Sequence, residues 1–320
     1  MGRMTPTTKT AKKTDRRPPA ARPTAHVPTV LPRQVVALRG GDIAYVDQGD
    51  GNGNHDVPAA LFVHGVLVNA DLWRNVIWDV ADVRRCIAPD LPAHGASPAP
   101  DASGPRAGDL SLTGLAAMLD ELCDHLGLDQ VDVVANDTGG AVSQVFAARY
   151  PHRIRTLTLT NCDVHENFPP EIFKPFVELA AAGEFGPLVA AMAGDAALAR
   201  SESGFGMGYA EPDALPDDLL TSYLGPFVAD QGKGLERLLT ASSAAELMAV
   251  EPLLAELHAP AQVAWGTGDL FFEPSWADRL AEMIPGVERV TLIRDAMLFW
   301  PDERAADLVP LLRDFWEAHA

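Results

Sequence analysis

From Gln34 onward the apolar positions switch repeatedly between a period of two and a period near 3.6. "QVVALRG" and "DIAYVDQG" alternate over short runs joined by "GGD", which predicts a β-hairpin. "AALFVHG" is continuously apolar and predicts a buried strand ending at His64-Gly65, and "NADLWRNVIWDVA" has helical spacing. "RRCIAPDLPAHG" predicts a strand ending near Asp90 and then a loop. "SLTGLAAMLDELCDHLGL" predicts an amphipathic helix, with Ser111 or Thr113 as its cap and Gly127 closing it. A strand "VDVVA", a helix reaching Tyr150 and a strand "TLTLTN" follow.

Strands alternating with helices of this length predict an α/β fold with a parallel, doubly wound sheet, here of eight main strands. The rhythm stops near Val164. Residues 165–250 are Ala/Leu-rich and helical in pattern, with turn signals at "FPPEIFKP", "GEFGP" and "YLGPF". It resumes with "AQVAWG", the helix "PSWADRLAEMI", the strand "VERVTLI" and a last helix from about Asp302. The expected organisation is an α/β core over 34–164 and 251–320, with a helical lid over 165–250 inserted after the sixth main strand. Such a lid would cover the C-terminal edge of the sheet, where ligands bind in folds of this kind.

Charge divides the chain differently. Residues 1–33 hold eight Lys/Arg against a single acid, Asp15, so the rest is more acidic than the overall net charge of −19 suggests. A body of that sign repels nucleic acid and anionic membranes. The arm itself has no apolar periodicity and is rich in Thr, Pro and Ala, which predicts disorder over 1–33; it also lacks the apolar core of a secretory signal. No apolar run approaches the roughly 20 residues that span a bilayer. Three cysteines without CxxC spacing argue against a disulfide framework or zinc site and suit a reducing cytoplasm. The expectation is a cytoplasmic, cofactor-free protein, with a homodimer left open.

The candidate chemistry begins at "VVANDTGGAV", where a strand turns sharply into a helix. A side chain at such a corner is pushed up from the sheet edge beside the helix N-terminus and its free N–H groups. Either Asp137 or Thr138 could occupy it. Serine corners usually read x-Ser-x-Gly-Gly, so Gly139-Gly140 place Asp137 at the corner. The simpler reading, a helix N-cap, competes with this one.

Four motifs in order, "FVHG" (62–65), "DLPAHG" (90–95), "NDTGGA" (136–141) and "WGTGD" (265–269), resemble the α/β-hydrolase superfamily over residues 34–320. The corner aspartate resembles the branch holding epoxide hydrolases and haloalkane dehalogenases. A carboxylate suits attack on an sp³ carbon bearing a leaving group, giving an alkyl ester that water must then cleave. By this resemblance the N–H groups of Val66 and Thr138 form an oxyanion hole. Asp269 is the first candidate for the triad acid and Asp163 the second. His64 and His94 read as loop scaffolding. The triad histidine is missing, because the aligned position in "IRDAMLFWPDER" is Leu298. Three explanations follow: His165 supplies the base, the protein accumulates its ester, or Asp137 acts as a general acid or base in a reaction without hydrolysis.

The resemblance also bears on the substrate. Halide-binding positions of the dehalogenases are occupied by Thr138 and Val66, which are poor halide donors. Epoxide hydrolases polarise the ring oxygen with lid tyrosines, and this lid offers Tyr209 and Tyr223. Trp265, Trp276, Trp300, Phe271 and Phe272 cluster in sequence around the seventh- and eighth-strand loops and are candidates to line an apolar pocket. The expected activity is epoxide-hydrolase-like opening of a C–O bond in a hydrophobic small molecule. The alternatives are a haloalkane dehalogenase, a non-hydrolytic cyclase or isomerase, and an inactive ligand-binding member of the fold.

Overall fold

A computed structural model describes residues 12–16, 27–49, 57–103 and 108–320. Among these residues nine strands form one sheet: β1 (Lys12–Arg16), β2 (Gln34–Leu38), β3 (Gly41–Gln48), β4 (Ala59–Val63), β5 (Cys86–Pro89), β6 (Val131–Asp137), β7 (Ile154–Cys162), β8 (Ala261–Gly266) and β9 (Val287–Ile293). Their order is β1-β9-β8-β7-β6-β4-β5-β3-β2. The β2–β3 hairpin and the β3–β5 pair are antiparallel and every other pair is parallel. The continuous apolar runs explain the middle of the sheet, since β4 and β6 are buried along their whole length between layers of helices.

The ninth strand corrects the expectation of eight. Lys12–Arg16, within the arm expected to be disordered, pairs in parallel with Arg289–Ile293 at the sheet edge. The Lys13 ammonium meets the Asp278 carboxylate there at 2.8 Å. Backbone pairing asks little of side-chain pattern, so an arm without apolar periodicity can still add an edge strand. The arm boundary also moves. Leu31 is buried with its N–H on Asp71, and the Arg33 guanidinium bridges Asp71 and Asp90, so this segment belongs to the folded body. The remaining arm residues, 1–11 and 17–26, lie outside the described residues.

Between β7 and β8 the chain is helical apart from short turns, from Glu171–Phe173 to Ala244–Leu254. Its early helices, including Lys174–Ala182 and Phe185–Gly194, form a layer beyond the C-terminal ends of the strands. The last one, Ala244–Leu254, packs instead on the core helix Thr138–Arg149. It therefore sits with the α/β body, and the core resumes near Ala244 rather than at 251. The helical layer is tied to the body by polar contacts. Asn69 donates to Ser222, and Glu303 accepts the N–H groups of Ala210 and Glu211. Among the described residues no single helix is long and apolar enough to cross a membrane.

Candidate active site

The strand-to-helix corner is built as the sequence suggests. Asp137 ends β6 with φ 56° and ψ −138°, a conformation costly for a residue with a side chain and held by the surrounding packing. It makes no side-chain cap bond, so capping is not its role. A Cβ on Gly139 would lie 2.3 Å from the His64 carbonyl oxygen, and the glycine lets the helix pack that close. The same crowding fixes Gly65, where a Cβ would fall 2.1 Å from Asp137 Oδ2.

The Val66 N–H donates to Asp137 Oδ2 at 2.8 Å, and the adjoining Thr138 N–H helps to support the carboxylate charge. Both expected oxyanion donors thus converge on Asp137, one oxygen of which is anchored. Burial raises the Asp137 carboxyl above the ordinary range, and the two N–H donors oppose that rise.

Asp137, Thr138 and Val66 line a cavity of about 110 Å³ between the strand ends and the helical layer. Asp163, Leu298 and Phe271 line it too. Its remaining wall is mostly apolar, dominated by Phe168, Phe173, Phe176, Phe185, Phe205 and Phe299. These phenylalanines escaped the sequence reading. Their trace was the recurrence of Phe through 168–185 in a segment with few polar residues, but spacing did not say which face they would share.

The acids separate by role. Asp269 is tied down, with Asn161 Nδ2 at 2.7 Å on Oδ2 and the Phe271 N–H at 2.8 Å on Oδ1. Burial raises its carboxyl to about 7 against those bonds, and the Asp137 charge adds to the rise. Asp163 directly follows Cys162, the sheet partner of Asp137, and its Oδ2 accepts the Thr138 hydroxyl at 3.1 Å. Its Oδ1 is buried without a protein partner. Burial, and then the Asp137 charge, hold the Asp163 carboxyl well above the usual range.

Several expected site residues lie elsewhere. His165 is not in the cavity wall: its ring nitrogens face the carboxylates of Glu166 and Glu251. Tyr209 and Tyr223 are buried in an aromatic cluster with Phe205, and neither lines the cavity. The Trp265 indole is core, donating to the Phe272 carbonyl at 3.0 Å. Phe272 and Trp300 are buried in the core as well, the latter donating to Asn161 Oδ1. His64 is neutral scaffolding. Its Nδ1 bonds the Gly65 carbonyl and its Nε2 accepts the Leu91 N–H, both at 2.8 Å, while burial pushes its pKa well down. His94 is similar, bonded to the Pro92 carbonyl and the Leu67 N–H, its pKa lowered by burial to about 4. Among the described residues no histidine lines the cavity.

Comparison with known proteins places this geometry. The profile of the alpha/beta hydrolase fold family matches residues 58–296. A haloalkane dehalogenase of Mesorhizobium japonicum is 34% identical over 134 residues, 42% of this chain and 40% of that protein. The chain therefore aligns with about two fifths of that relative's length. A cis-3-alkyl-4-alkyloxetan-2-one decarboxylase of Xanthomonas campestris is 26% identical over 306 residues, 89% of this chain and 96% of that protein. The solved epoxide hydrolase CorEH superposes with a TM-score of 0.72 at 17% identity, covering 90% of this chain and 99% of its own, a likeness of fold. With the family profile spanning most of the sheet and the corner that carries Asp137, the chain belongs to the alpha/beta hydrolase fold family.

Proposed function

We propose that this protein uses Asp137 as a nucleophile on an sp³ carbon of a hydrophobic small molecule, opening a C–O bond as epoxide hydrolases do. The observation that carries the reading is the anchored carboxylate. Val66 N–H holds Asp137 Oδ2 at 2.8 Å inside an apolar cavity, which leaves Oδ1 to attack. The same donors then stabilise the oxyanion when water adds to the resulting ester. Apolar walls suit an uncharged, aromatic or alkyl-bearing electrophile. The dehalogenase alternative is less well supported, because no Trp or Asn side chain is among the residues described around the cavity to hold a departing halide. The long alignment with the oxetan-2-one decarboxylase supports a second reading, in which the strained ring is a dialkyl oxetanone.

The test is incubation with epoxides such as styrene oxide, followed by intact mass and by oxygen exchange in heavy-oxygen water. The expected outcome is an adduct at Asp137, or heavy oxygen in its carboxylate after turnover, and neither in Asp137→Asn. Binding without adduct or label would sink the nucleophile reading.

A further inference from the structure

We infer that Asp163 is the acid and base of this site: its carboxyl protonates the oxygen leaving the substrate carbon, and its carboxylate then activates the water that cleaves the Asp137 ester. The inference deepens the reading above and rests on Asp137 as nucleophile. It follows from which groups the cavity contains. The histidines are bonded elsewhere or absent from its wall, and Tyr209 and Tyr223 do not line it. Asp269 is outside the wall, with both oxygens accepting N–H groups. Thr138, Ser203 and Ser242 line the cavity, but their hydroxyls are too weakly acidic to hold or give a proton at neutral pH. Asp163 is the other ionisable group lining it among the described residues.

Two carboxylates in an apolar cavity do not both ionise, so the pair shares a proton. The Val66 N–H holds Asp137 Oδ2 at 2.8 Å and the Thr138 N–H supports the same charge, whereas Asp163 receives the Thr138 hydroxyl and its own N–H and is pushed toward its protonated form by the Asp137 charge. The proton therefore resides on Asp163. Since Oδ2 already accepts from Thr138, the unpartnered Oδ1 is the oxygen that bears it.

The cycle balances. Asp137 Oδ1 bonds to the epoxide carbon, the C–O bond breaks, and the ring oxygen takes the proton from Asp163. Asp163, now a carboxylate, takes a proton from water as the water oxygen adds to the ester carbonyl carbon. The oxyanion sits on the Val66 and Thr138 N–H groups. Collapse breaks the bond to the alkyl oxygen, which leaves with the proton from Asp163. The proton left on Asp137 passes to Asp163 and restores the starting pair; an epoxide and a water have become a diol.

The test compares styrene oxide, whose oxygen needs a proton to leave, with phenacyl bromide, whose bromide does not. In Asp163→Asn, alkylation of Asp137 by styrene oxide is expected to slow about 100-fold or more. Alkylation by phenacyl bromide stays within about threefold, and either ester persists once formed. The wild type provides a check independent of that variant's folding. Styrene oxide alkylation should fall as pH rises and Asp163 loses its proton, while phenacyl bromide alkylation should not fall. The other titratable groups facing Asp163 are Asp137, Asp269 and the Cys162 thiol, and none of them separates the two probes by proton demand. The inference is overturned if Asp163→Asn opens styrene oxide and clears the ester at wild-type rates, or if the two wild-type pH profiles run parallel. Absence of any Asp137 adduct or label in the wild type, with both probes, overturns the nucleophile reading itself.

Discussion

Leu298 sits in the cavity wall with Asp137 and is nearly fully buried, its carbonyl accepting from Asn136. An apolar side chain there cannot move a proton, so the proposed mechanism needs its acid–base work done by another group lining the cavity. In the Asp163→Asn background, Leu298→His should therefore restore clearance of the Asp137 ester by about 100-fold, with the alkylation step little changed. Decay of the adduct by intact mass reads this directly; an ester that persists unchanged would mean position 298 cannot serve a base. Asn161 is the complementary structural residue. It accepts from the Gly266 N–H and the Trp300 indole and donates to Asp269, joining β7, the end of β8 with its following loop, and the helix Trp300–Glu303. Asn161→Leu leaves two buried donors unpaired at roughly 1–3 kcal/mol each. A thermal melt should show the largest loss of the variants named here.

At the scale of elements, the edge of the sheet and the helical layer behave differently. β1 adds backbone pairing to β9, and its exposed Lys13–Asp278 pair is worth well under about 1 kcal/mol. Deleting residues 1–26 should lower stability modestly and leave Asp137 alkylation almost unchanged, since β1 is at the far edge from β6. It would also bare the β9 edge, so concentration-dependent association should rise in light scattering. A monomer indistinguishable from the full chain at high concentration would contradict that role. The helical layer is bound to the body through Phe299 N–H on the Gly208 carbonyl and through Glu303, which joins it to the loop after β9 that carries Leu298.

For the whole molecule, the dominant electrostatic fact is the number of buried carboxyls whose pKa is raised. Asp269 and Asp302 are both pushed up to about 7 by burial, and Asp163 lies well above the usual range. A carboxyl raised in the folded state binds its proton there more tightly than in the unfolded chain. Its stabilisation is complete below the unfolded value near 4 and is lost as pH climbs through the folded value. A tenfold difference in proton affinity between the folded and unfolded chain corresponds to about 1.4 kcal/mol. Self-repulsion of a chain at −19 acts in the same direction. The melting temperature should thus be higher near pH 5 than near pH 8, by several degrees. Asp163→Asn should flatten the dependence, and a melting temperature that rises from pH 5 to pH 8 would contradict the assignment.

The fold and the corner were legible in the chain because they depend on local rules. Apolar runs of strand length, helices between them, and a Gly pair after Asp137 each constrain a few neighbouring residues. The Val66 and Thr138 donors came instead from the resemblance to the α/β-hydrolases, which puts them just after His64-Gly65 and the corner residue. What the sequence could not determine was which side chains meet across distant segments. Trp265 and Phe271 stand six residues apart, yet one is core and the other faces the cavity. Tyr209, Tyr223 and His165 had suitable chemistry, but packing turned them toward Phe205 and toward Glu251. The arm strand was invisible for a related reason, since its pairing uses backbone groups that every residue carries. The sequence by itself determined the eight main strands of the sheet, the carboxylate at its corner and the absence of a histidine at 298. Only the tertiary structure decided that Asp163, and not His165, shares the cavity with Asp137, because burial and contact depend on how distant segments pack rather than on local spacing.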